Sequence, residues 1–125
     1  MKVTEFEAKV LAQIKEQELG VIVGGGDPRD NGERNFEILR QLTSLDTDMQ
    51  VLDFGCGCGR LALPTLQYLS GDGGYVGVDI IPRLINFCHE QIASHYENAE
   101  FFLSPDHNQL YDKFIQQETA RTASL

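Results

Sequence analysis

Apolar and polar positions follow two different rhythms along this chain, and the switch between them marks out its elements. Val3, Phe6, Val10 and Ile14 recur at helical spacing. Thr4 stands three residues before Glu7, the spacing of a capping box, and Gly20 follows Leu19 as a stop. This spacing predicts an amphipathic helix over residues 5–19 that packs on a sheet or crosses a partner. Val21 to Pro28 reads as a short apolar run and then a loop, Gly24-Gly25-Gly26-Asp27-Pro28, either a plain connector or a hinge or lid over a pocket. Asp30 and Glu33 repeat the capping-box spacing, ahead of a second helix carried by Phe36, Ile38, Leu39, Leu42 and Leu45.

From Val51 the rhythm changes to short apolar runs. Val51, Leu52 and Phe54 predict a buried strand, Tyr75 to Asp79 a second, and Ala99 to Leu103 a third. Between the first two, residues 60–69 read as a helix with Pro64 in its first turn. Pro82 opens another helix, with Ile85, Cys88, Ile92 and Tyr96 on one face. Strands alternating with helices predict an α/β fold whose parallel sheet runs in the order third-second-first through right-handed crossovers. Beyond Asp106 the pattern weakens. Tyr111 to Ile115 fits a helical turn or a strand fragment, and the polar end reads as a frayed tail. The organisation is then an N-terminal helical region (1–47), a sheet domain (48–108) and a tail (109–125).

Composition narrows the function. The chain has 125 residues and a formal net charge of -9, with its ten Lys and Arg scattered. Such a charge argues against a surface that tracks nucleic-acid phosphates. There is no run of about 18 apolar residues, so no membrane span is expected. The alternating Lys and Glu at the N-terminus resemble neither a secretory signal nor a transit peptide. Three cysteines make no disulfide framework, which points to a reduced, cytoplasmic setting. Cys56 and Cys58, one residue apart, are poorly spaced for zinc and read as small side chains packed behind a turn, with Cys88 in the core.

The chemistry concentrates in Asp53-Phe54-Gly55-Cys56-Gly57-Cys58-Gly59-Arg60. A strand, a glycine-rich turn and a helix start make a nucleotide-type site. A phosphate-binding P-loop needs Lys and then Ser or Thr after the last glycine, and Arg60-Leu61 stands there instead. A nicotinamide fingerprint fits only as Gly57-Cys58-Gly59-Arg60-Leu61-Ala62, which leaves Asp53 and Gly55 unexplained.

The pattern acid-x-Gly-x-Gly-x-Gly, with Gly77-Val78-Asp79-Ile80 one helix later, resembles the class I S-adenosylmethionine-dependent methyltransferases. The resemblance covers roughly residues 30–108 and implies a Rossmann-like fold and S-adenosylmethionine as cofactor. It implies that Asp53, Gly55 and Gly57 line the amino-acid moiety, that Asp79 accepts from both ribose hydroxyls, and that Ile80 packs on the adenine. Asp106, in Ser104-Pro105-Asp106, falls where the family places an acid on the adenine amino group. An acid beside the turn suits a cationic sulfonium and ammonium where it would repel a pyrophosphate.

The resemblance identifies no methyl acceptor and no catalytic base. Only residues 107–125 follow Asp106, too few for the strands that complete that fold on the far side of the first strand. The reading is therefore a methyltransferase or its cofactor-binding half: a fragment, a split enzyme completed in trans, or a chain whose N-terminal helices close the gap. The alternatives are a truncated non-catalytic homologue that binds cofactor or partner, and a nicotinamide dinucleotide-binding domain. In each case the first strand becomes an apolar edge that invites association.

Overall fold

The computed structural model describes residues 3–104. Its elements are α1 (Glu5–Glu16), α2 (Leu19–Ile22), α3 (Pro28–Thr43), β1 (Gln50–Phe54), α4 (Ala62–Tyr68), β2 (Gly74–Asp79), α5 (Pro82–Cys88) and β3 (Ala99–Leu103). A single π-helical turn, His89–Ala93, prolongs α5. The strands form one parallel sheet in the expected order β1-β2-β3, with β1 at an edge among the described residues.

Local chemistry explains where the helices begin. Thr4 Oγ1 accepts the Glu7 N–H at 3.1 Å and caps α1. The cap of α3 is Asp27, which accepts the Asp30 N–H at 2.9 Å, with Pro28 in the first turn. The expected cap at Asp30 is thus displaced by three residues, because Pro28 suits the first helical position and already lacks the N–H left unpaired there. The first helix is also shorter than its periodicity suggests. It breaks at Glu18, which takes a left-handed φ of 56°, and Gly20 falls inside α2 instead of ending α1. Its main contacts are with α2 and α3, and Phe6 stacks on His95 at 3.7 Å between ring centroids.

Strand register divides the sheet into two unlike faces. Val51, Tyr75 and Ala99 lie side by side, as do Asp53, Gly77 and Phe101. On this face Val51, Tyr75, Ala99 and Phe101 are buried, within one core that also takes in Val10, Ile14, Leu19 and Phe36 from the N-terminal helices. On the other face the prediction of a buried first strand fails: Leu52 is 61% and Phe54 69% exposed, with Phe102 beside them at 52%. The reason is topological. Both crossovers step the same way across the sheet, and right-handed connections then place their helices on the same side.

Glu7 is a buried acid within this packing, and among the described residues its Oε1 has no hydrogen-bond partner. Burial, and secondarily the Glu33 carboxylate, push its pKa up to about 7, against a partial pull downward from Arg29. The folded chain therefore holds a proton that the unfolded chain releases near pH 4.5, so this contribution to stability falls as pH rises from 4.5 to about 7. Thermal melts should show Glu7→Gln more stable than the parent by about 3 kcal/mol at pH 8. The two should be equal at pH 4.5.

Candidate functional site

The site is built where β1 and β2 end. Gly55, Gly57 and Gly59 all take left-handed φ values, 81°, 60° and 93°, which a side chain at any of them would oppose. The N–H groups of Gly55 and Cys56 both donate to the Val78 carbonyl, at 2.7 and 3.0 Å, so the turn is stapled across the end of β2. Gly77 is needed beneath it, since a Cβ there would come within 2.9 Å of both the Cys56 side chain and Phe101. Cys56, Cys58 and Cys88 are free and buried behind the turn, as their spacing suggested. The Cys88 thiol donates to the Gly57 carbonyl at 3.3 Å.

Asp79 closes the turn from the other side. Its Oδ2 accepts the Gly57 N–H at 2.8 Å, and its Oδ1 accepts those of Ile80 and Ile81 at 2.7 and 3.2 Å. A carboxylate has about four acceptor positions. Three are used, which leaves Oδ2 with room for one further donor.

Asp53 lies across the cleft, half-buried, with Oδ2 accepting the hydroxyl of Tyr75. Burial raises the Asp53 pKa; the Tyr75 hydrogen bond lowers it, and the Asp79 carboxylate adds a smaller push upward. Tyr75 itself is buried, and burial together with Asp53 holds its pKa well above the ordinary value, so it stays a donor. In Tyr75→Phe the acid loses the bond that favours its charged form, while burial remains. Carboxyl-carbon NMR titration should then find Asp53 protonating at a higher pH than in the parent.

These groups face a cleft of about 320 Å³ whose walls include Asp53, Gly55, Gly57, Arg60 and Asp79. Four of the six expected site residues, Asp53, Gly55, Gly57 and Asp79, therefore meet in one place. Ile80 is not among the walls; Ile81 and Leu84 supply the apolar side. Asp106 lies outside the described residues. Ile22, Val23 and Asn35 complete the walls from the N-terminal region; the first two fall in the Val21–Pro28 stretch read as a connector, hinge or lid, and sequence reasoning missed only Asn35 among them. It also passed over Gly32, buried in α3, where an added Cβ would run into the Arg60 carbonyl. A glycine inside a helical pattern was the available signal for that close approach.

With this geometry in view, the family match is decisive: residues 45–119 match a family described as a methyltransferase domain. The chain belongs to that family. The methyltransferase domain's matched stretch holds all three strands and the whole glycine turn, and α1, α2 and α3 lie before it.

Solved structures show the same fold. The [4+2]-cyclase SpnF is similar with a TM-score of 0.52 and 18% identity, over 80% of this chain and 42% of its own. A protein-L-isoaspartate O-methyltransferase reaches a TM-score of 0.51 at 22% identity, over 54% of this chain and 22% of its own. Coclaurine N-methyltransferase, solved with N-methylheliamine and SAH, reaches 0.50 at 21%, over 58% of this chain and 22% of its own. The methyltransferase domain thus spans less than half the length of each of these proteins. Among its described residues, no helix is long and apolar enough to cross a membrane.

Proposed function

We propose that this chain binds S-adenosylmethionine in the cleft between the glycine turn and the end of β2, as the donor-binding part of a methyltransferase. The observation that carries the reading is the pair of acids, Asp53 and Asp79, facing one cleft across a turn of left-handed glycines. Arg60, the basic residue in the same walls, spends its guanidinium on the backbone carbonyls of Val23 and Gly25. The cleft is therefore acidic where a pyrophosphate site would be basic, which suits a ligand with a sulfonium, an ammonium and a ribose diol. Its volume of about 320 Å³ is of the size that small-molecule sites have, about 300–1,000 Å³.

The bound cofactor would supply a methyl group already activated on a cationic sulfur. The chain's own residues bind and orient it. Asp79 Oδ2 has one acceptor position for a ribose hydroxyl, and taking both hydroxyls requires it to release a backbone N–H. Gly57 is the bond to exchange, because it shares that oxygen. Asp53, held by Tyr75, offers its other oxygen to the ammonium. Ile81 and Leu84 provide an apolar bed for the adenine, beside the Ile80 expected there. The methyl acceptor is unassigned, and the net charge of -9 argues against direct nucleic-acid binding by this chain.

Calorimetric titration of the whole chain with S-adenosylhomocysteine, S-adenosylmethionine and a nicotinamide dinucleotide tests this reading. Binding of the first two alone is expected; binding of the dinucleotide alone would overturn it.

A second reading has its own support. Fold does not dictate reaction, and one structural neighbour, similar over 80% of this chain, is a cyclase. Among the described residues the β1 edge is unpaired, and Leu52 and Phe54 on that strand are exposed. A donor-binding module that completes its sheet with another polypeptide fits that edge. Size exclusion should then show the 14.0 kDa chain eluting as a larger species. Leu52→Glu with Phe54→Glu should return it to monomer size.

A further inference from the structure

We infer that Arg60 is a positioning residue that straps the Val23–Gly26 loop over the cleft and so controls how long a bound cofactor stays. The inference rests on the reading that the cleft holds S-adenosylmethionine.

The loop has little to hold it in place by itself. Gly24, Gly25 and Gly26 take φ values of 98°, 76° and 80°, three left-handed residues in succession without a side chain to pack. Yet the loop forms part of the site. Ile22 and Val23 line the cleft, and the Val23 side chain sits directly on the turn: a Cβ on Gly57 would come 2.9 Å from Val23 Cγ1.

What fixes the loop is the residue that follows the glycine turn. Arg60 Nη1 donates to the Gly25 carbonyl at 3.0 Å and Nη2 to the Val23 carbonyl at 2.9 Å. Asn31 Nδ2 adds a weaker hold on the Gly25 carbonyl at 3.2 Å, and the Gly25 N–H donates to the Gly20 carbonyl. A planar guanidinium can span two carbonyls that a lysine ammonium would meet only singly. One side chain therefore joins the family-matched turn to a wall that comes from outside the matched residues.

Closure of this wall and retention of the cofactor are linked, and the linkage works in both directions. A ligand beneath Val23 should steady the loop, and a loop freed from Arg60 should release the ligand sooner. Binding should be affected through dissociation more than association.

The test compares the parent with Arg60→Ala, Arg60→Lys and the exposed control Arg34→Ala, by amide exchange at Gly24 to Gly26 and by stopped-flow binding of S-adenosylhomocysteine. Arg60→Ala is expected to speed exchange in the free protein and to raise the dissociation rate about tenfold, with the association rate little changed. Arg60→Lys should recover part of both effects, and Arg34→Ala should match the parent. Added S-adenosylhomocysteine should slow Gly25 exchange in the parent far more than in Arg60→Ala. Equal dissociation rates in parent and Arg60→Ala would overturn the retention role. Unchanged loop exchange in Arg60→Ala and Arg60→Lys would overturn the strap itself, whether or not ligand binds. If the parent binds no S-adenosylhomocysteine, the cofactor reading falls and retention with it.

Discussion

Asp79→Ala is expected to weaken S-adenosylhomocysteine binding by about a hundredfold while the chain stays folded. Two charge-assisted hydrogen bonds to a ribose diol together represent about 3 kcal/mol or more, and each 1.4 kcal/mol is a factor of about ten. The substitution also frees the N–H groups of Gly57, Ile80 and Ile81, which now meet the carboxylate. Gly57 and Ile81 line the open cleft, where water replaces the lost acceptor, so the stability cost should be only about 1–2 kcal/mol. Asp79→Asn keeps one acceptor oxygen and should bind with an intermediate loss, about tenfold. Calorimetry reads the affinity and a thermal melt reads the fold. Parent-like binding by Asp79→Ala would remove Asp79 from the ribose.

Gly32→Ala should produce the largest loss of stability. By helix propensity alone the change is favourable, by about 1 kcal/mol. Packing decides otherwise. The new Cβ would collide with the carbonyl of Arg60, a backbone atom that cannot swing aside as a side chain could. Forcing α3 away from that carbonyl costs about 3 kcal/mol or more, so a net loss of about 2–3 kcal/mol is expected. In a chain of this size that is a fall of about 10 °C in melting temperature. Because Arg60 follows the glycine turn, cofactor affinity should drop along with stability. Gly71→Ala, at a position with open space around it, should change the melting temperature by about 2 °C or less.

The three strands and the glycine turn were legible because each signal is local. An apolar run ending in an acid sets β1 and β2, and only glycine accommodates the three left-handed residues at 55, 57 and 59. Sheet order followed from the tendency of consecutive strands to lie side by side. Other features depend on contacts between distant parts of the chain, and these left weaker traces. Leu52 and Phe54 look like core residues because hydrophobicity does not reveal which face a helix will cover. The left-handed Glu18 that breaks the first helix has no glycine or proline to announce it. Arg60 reads in sequence only as a failed P-loop lysine, although its guanidinium reaches back 37 residues to the Val23 carbonyl. The Asp79–Gly57 hydrogen bond joins two residues that sequence had already singled out, but not as partners.

The central claim is that the methyl donor lies between the glycine turn and the end of β2. Amide NMR of the whole chain during titration with S-adenosylhomocysteine tests it residue by residue. Gly55, Gly57, Ile80 and Ile81 should move most, the Gly57 amide above all as its bond to Asp79 is exchanged, with the β3 amides of Glu100 to Phe102 nearly still. Saturable shifts that bypass these residues, or none at all, would contradict the account.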